Sequence, residues 1–172
     1  NFAKKEPDAV VMECMAVNPQ YQWVAEHKMI QSTIGVITNV RPDHLDEMGL
    51  TLKENAMSLS NTIPYSGTMI TIEGDLNRDG KLDALDQEID DVFMDVAKKR
   101  KTKLYHASTE KISSKYMERF KYMEHSDNVA LSLKVCTLIG VDEKIALGGM
   151  LETQPDPGAT IIWKLNFSGI HN

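Results

Sequence analysis

Apolar residues follow two rhythms along this chain. Short compact runs, Ala9–Met12, Thr33–Thr38, Thr68–Ile72 and Thr102–His106, are the length of strands, and the second and third are rich in β-branched residues. Between them the spacing becomes helical. Tyr21, Val24, Ala25 and Met29 share one face after Pro19, and Leu52, Ala56, Leu59 and Ile63 form a stripe. Leu82, Leu85, Ile89, Val92, Phe93 and Val96 mark a long helix over Asp83–Arg100, and Ile112, Tyr116, Phe120 and Met123 mark another. A mostly apolar helix from Asn128 to Ile139 and a short one from Asp142 to Met150 complete the series. Local signals punctuate it: Thr51 with Glu54 as a capping box, Asp127 as an N-cap, Gly140 as a stop. The basic run Lys98–Lys101 favours the dipole at a helix end and reads as a cap. Alternation of the two rhythms predicts an α/β domain, a mostly parallel sheet flanked by helices. The break at Pro155-Asp156-Pro157-Gly158 predicts a boundary, with one unit over 1–154 and the start of a second over 155–172.

Composition narrows the partners. The chain has 172 residues, of which 42% are apolar and 26% charged, a mix able to bury a core. Its net charge of −6 gives no electrostatic case for nucleic acid. No apolar stretch approaches the ~20 residues of a membrane span, and no signal peptide is visible. Cys14 and Cys136 belong to no CxxC or Cys/His cluster, so two free thiols in a reducing compartment are expected. The chain opens on Asn1 and stops after an apolar run, which reads as a piece of something longer.

Chemistry gathers where two strands end. Ligands of open α/β sheets bind outside the carboxyl ends of strands. Glu13 follows the first run, and Asp43-His44-Leu45-Asp46 follows the second. A carboxylate at one strand end and a histidine at the next could converge on a Mg²⁺ ion that keeps several waters. The plainer alternative is that Glu13 caps a helix while Asp43 and His44 fix a turn after Pro42. Spacing alone leaves both open.

Three segments carry a resemblance. Glu13-Cys14-Met15-Ala16-Val17-Asn18-Pro19, Asn39-Val40-x-x-Asp43-His44-Leu45-Asp46-x-Met48-Gly49 and Pro155-Asp156-Pro157-Gly158 resemble the ligase subunits of capsule poly-γ-glutamate synthases. Those enzymes belong to the Mur ligase superfamily, with folylpolyglutamate synthase. Ile63–Gly67 and Asp127-Asn128 are further matches. The resemblance implies part of a Mur-type central ATPase domain and an ATP-dependent amide ligase working through an acyl phosphate. Glutamate and poly-γ-glutamate would be its substrates. It implies Mg²⁺ held by Glu13 and His44, with Asp43 orienting the histidine. Asn39 and Asn128 would lie in the nucleotide pocket, although the first also reads as a strand terminator and the second as a residue following a helix cap. A place on the cytoplasmic side of the membrane, beside membrane-embedded subunits, comes with the family; no anchor is visible in these residues. The departures matter equally. A Gly-Lys-Ser/Thr phosphate loop is missing, residues 56–61 hold no lysine, and no arginine follows the Pro-Gly turn. The chain alone is therefore expected to be inactive.

One motif lies outside that resemblance. Asp75, Asn77, Asp79, Asp83 and Asp86 place oxygen donors at positions 1, 3, 5, 9 and 12 of an EF-hand-type loop. Gly80 stands at position 6, Lys81 at position 7 would offer its carbonyl, and Leu82 is the aliphatic at position 8. A calcium loop of micromolar or weaker affinity is expected; the alternative is a metal-free acidic turn capping the next helix. It also frames the competing function, a non-catalytic domain of the same fold stabilised by calcium. Elsewhere, His27 is expected to be solvated, and His106 and His125 have no partner at metal-ligand spacing in the sequence. Trp23 and Trp163 read as core or interface aromatics, and the methionines as core filling.

Overall fold

A computed structural model describes residues 6–74, 82–155, 157–158 and 160–161. Three parallel strands form one sheet in the order β1 (Ile34–Ile37), β2 (Thr68–Ile72), β3 (Lys103–Ala107). Val36 aligns with Ile70, and Ile70 with Tyr105. Side chains alternate across a strand, so β2 feeds two cores. Met69 joins Ile37, Ala56, Ile63 and Phe93 beneath helices α3 (Leu52–Leu59) and α4 (Ala84–Arg100). Ile70 joins Ala107, Ala130 and Leu131 beneath α6 (Ser126–Leu138). The result is the expected α/β architecture, a parallel sheet between helical layers, which is why β2 reads as apolar on both faces.

Local chemistry sets the helix ends. The capping box of α3 forms: Glu54 N–H donates to Thr51 Oγ1, and the Glu54 carboxylate accepts from the N–H groups of Leu50 and Thr51. Asp83 caps α4 by accepting from the N–H groups of Leu85 and Asp86. At the other end of α4, Arg100 turns back and donates to the carbonyls of Ser60, Asn61 and Ile63, satisfying groups left over where the 3₁₀ turn Ser60–Thr62 follows α3. The expected capping role of the basic run thus falls mainly to one residue, acting on a neighbouring element. The last helix, α7 (Glu143–Glu152), starts at Asp142, whose side chain accepts from Lys144 and Ile145, and packs against α6.

Four expectations are corrected. Ala9–Met12 is not a strand, and Val10, Val11 and Met12 are 56%, 97% and 62% exposed. A strand exists only in a ladder, and these residues pair with no strand; of the four, Met12 borders a cleft beside the edge strand β1. The helix of Pro19 begins as α1 (Pro19–Val24), capped by Asn18, but widens into a π-helical segment over Ala25–Ile30. Helical spacing over 112–123 yields only a 3₁₀ turn (Thr109–Lys111) and α5 (Ser114–Met117). Phe120 instead packs edge-on between Tyr116 and Tyr122, and Tyr122 forms an antiparallel bridge with Ile161. Finally, α6 starts from His125, leaving Asp127 within its first turn and not at its cap.

Candidate functional site

The loop after β1 carries the Asp-His pair. His44 precedes the short helix α2 (Leu45–Met48) in a left-handed conformation, φ 45°. Asp43 Oδ1 accepts from the His44 backbone N–H at 2.9 Å and lies 3.7 Å from His44 Nε2. At that separation the imidazole is beside the carboxylate without a hydrogen bond to it. Both side chains are exposed, so their mutual attraction is screened and they remain open to a ligand.

Glu13 is also exposed and lies on the segment before α1. It borders a cleft of about 220 Å³ with Cys14, Met29 and the edge residues Gly35 and Val36. One contact joins this segment to the Asp-His loop: Asn18 Nδ2 donates to Glu47 Oε2 at 2.8 Å. Asn18 thereby works at both ends, since its Oδ1 also caps α1 by accepting from Gln20 N–H. Sequence reasoning missed this tie, although Asn18 and Glu47 both lie within the segments that carry the resemblance.

A second cleft, of about 230 Å³, opens at the carboxyl ends of β2 and β3 against α4. Asn39, Glu73, Asp90 and His106 line it over an apolar wall of Ile89 and Phe93. His106 has a partner from α4, Asp90, 16 positions away in the chain, whose Oδ1 lies 2.6 Å from Nε2. Strand alternation places His106 on the same side as Leu104, facing α4, which is the signal that would have found the pair. Among the described residues the lining includes no lysine or arginine, so phosphate charge could be met there only by cations from elsewhere. No group of three or more His, Cys, Asp or Glu among the described residues is arranged to hold a metal. By donor type alone, a carboxylate such as Glu13 and an imidazole such as His44 would suit a Mg²⁺ that takes its other ligands from water and phosphate.

The remaining candidates are scattered. Asn39 borders the β2–β3 cleft, whereas Glu13 borders the other. Asn128 lies on α6, across the sheet, and donates to Glu124 Oε1 at 2.8 Å. Asp75, Asn77, Asp79 and Lys81 fall outside the described residues; Asp83 caps α4 and Asp86 lies in its first turn. Both cysteines are free thiols. Among the described residues no helix is long and apolar enough to cross a membrane.

His27, expected to be solvated, is instead half-buried. Its ring lies between Trp23, 5.2 Å away, and Tyr65, 4.8 Å away, and its Nε2 donates to the Asn61 carbonyl. Burial, and then the Arg100 guanidinium, push its pKa below the ordinary histidine value.

Comparison with known proteins finds no matching family model and no matching solved structure. It does find curated relatives. The chain is 43% identical over 157 residues to the capsule biosynthesis protein CapB of Bacillus anthracis, covering 91% of this chain and 31% of that protein. It is 42% identical over 158 residues to the PGA synthase CapB of Bacillus subtilis (strain 168), covering 92% of this chain and 37% of that protein. The chain is thus related, over nearly all of its own length, to about a third of these capsule biosynthesis proteins.

Proposed function

We propose that this chain is part of an ATP-dependent amide ligase of the Mur superfamily that polymerises glutamate into poly-γ-glutamate for a capsule. What carries the reading is the kinship with a PGA synthase over 92% of this chain. The Asn18–Glu47 hydrogen bond supports it by tying the segment that holds Glu13 to the one that holds His44. In such a ligase ATP phosphorylates the terminal carboxylate of the polymer, and the amine of glutamate displaces phosphate from the acyl phosphate. Catalysis is then largely positioning and neutralisation of phosphoryl charge.

Glu13 and His44 would hold Mg²⁺, which supplies the positive charge that phosphoryl oxygens need. Asp43 fixes the backbone of His44 and lends its imidazole negative potential, a positioning role. Asn39 and Asn128 belong to the nucleotide side of this proposal. The phosphate loop and the amine-binding part lie outside this chain in the reading, so the 172 residues alone do not turn over. In the proposal the synthase works on the cytoplasmic side of the membrane with membrane-embedded partner subunits.

The test uses the longer protein that contains this chain. Glu13→Ala and His44→Ala are expected to lower glutamate-dependent ATP hydrolysis at least a hundredfold, and Asp43→Asn about 10–100-fold. Binding of Mn²⁺ in place of Mg²⁺, followed by electron paramagnetic resonance, is expected to weaken in the first two variants. Hydrolysis and Mn²⁺ binding at wild-type level in both would sink the assignment.

A further inference from the structure

We propose that Asn18, seated beside the buried amide of Gln22, is a positioning residue that clamps the Glu13 segment to the Asp-His loop and so sets metal affinity. The inference rests on the ligase reading and adds to it residues that touch neither metal nor substrate.

Glu13 lies on an exposed stretch that pairs with no strand of the sheet, so no ladder fixes its backbone. Its anchorage comes where the stretch enters α1. Pro19 takes the first helical position, and the residue before a proline is confined to extended backbone, which Asn18 adopts with φ −64° and ψ 130°. Beneath it Gln22 is 2% exposed. Gln22 Nε2 donates to the Val17 carbonyl at 3.0 Å, and its Oε1 accepts from Ser58 Oγ at 3.2 Å. An amide buried that deeply is costly to leave without a partner, so these two bonds fix Val17 against α3.

From that anchorage Asn18 reaches the second segment. Its amide has one orientation: Gln20 N–H can only donate and a carboxylate only accepts, so Oδ1 takes the cap and Nδ2 the Glu47 carboxylate, 2.8 Å away. The path then runs on to the histidine. Glu47 N–H donates to the His44 carbonyl at 2.9 Å, and His44 N–H donates to Asp43 Oδ1 at 2.9 Å. The Asn18–Glu47 bond is at the surface, where one contact adds little to global stability. Its consequence is geometric. Donors on two segments share one cation only while the segments hold their separation, and groups that orient metal ligands typically govern affinity by roughly 10–100-fold.

The test is metal binding by the longer protein that contains this chain, with Mn²⁺ alone, followed by electron paramagnetic resonance. Asn18→Asp is the decisive variant, because a carboxylate caps α1 as well as an amide does but cannot donate and repels Glu47. It is expected to raise the Kd for Mn²⁺ about tenfold or more. Far-ultraviolet circular dichroism stays unchanged and the melting temperature stays within about 2 °C of the wild type. Adding Glu47→Gln reverses donor and acceptor, and is expected to return Kd to within about threefold of the wild type. Glu47→Ala leaves α1 untouched, raises Kd by a similar factor, and serves if Asn18→Asp does not fold. Wild-type Mn²⁺ binding in Asn18→Asp or Glu47→Ala overturns the clamp, as does a loss that Glu47→Gln fails to repair. When Glu13→Ala and His44→Ala weaken binding in the same series, that failure leaves the ligase reading standing. When those two also bind as the wild type does, the reading and the clamp fall together.

Discussion

His27 shows how one side chain sets a pH dependence. The Asn61 carbonyl can only accept, so Nε2 carries the proton of a neutral ring held between Trp23 and Tyr65. Burial and Arg100 favour that neutral form and depress the pKa. The unfolded chain then binds more protons than the folded one between the lowered value and about 6.5. Stability from His27 is complete above about 6.5 and is lost as pH falls through the folded value. Urea midpoints from pH 7.5 to 5 are expected to fall for the wild type, and to fall less for His27→Gln. Equal slopes would place the titration elsewhere. Little of this was readable locally, because His27 sits in a run beside Glu26 and Lys28; Trp23 is four positions away, but Asn61 and Tyr65 are 34 and 38 positions away.

At the scale of elements, the corner between α2 and α3 supports the Asp-His loop. Gly49 adopts φ 115° and ψ 160°, and a Cβ there would stand 2.3 Å from Glu54 Cβ. Asn55 Nδ2 donates to the carbonyls of Gly49 and Thr51, locking the same corner from beneath. Gly49→Ala is therefore expected to cost about 1–3 kcal/mol in denaturant unfolding, from backbone strain before any clash is counted. A change within about 0.5 kcal/mol would mean that the corner relaxes freely. This capping box, with Thr51 and Glu54, was legible because its partners are three residues apart. So were β1, β2, β3 and α4, whose apolar rhythm and terminal caps are written locally. What escaped were features decided between distant segments. Helical spacing over 112–123 lost to aromatic packing and to the Tyr122–Ile161 bridge, and the His106–Asp90 pair needed α4 to lie over β3. The site divides the same way: its motif residues were visible, whereas the Asn18–Glu47 tie between them was not.

The molecule as a whole pairs a well-filled sheet with one open flank. Phe93, Ile63, Met69 and Ile70 are fully buried around β2, while β1 stands at the edge of the sheet with Val36 42% exposed. The apolar segment Val10–Met12, whose last residue borders a cleft beside that edge, contributes almost nothing to the core. Burial stabilises in proportion to apolar area removed from water, so two substitutions of similar chemistry must differ sharply. Phe93→Ala empties a site shared by α4 and the sheet and is expected to cost about 3–5 kcal/mol. Val11→Ser, at a side chain that is already hydrated, is expected to stay within about 0.5 kcal/mol in this chain. Urea unfolding of both variants measures the contrast. A cost above about 1 kcal/mol for Val11→Ser would mean that the segment is buried in solution, because a solvated valine has no buried apolar area to lose.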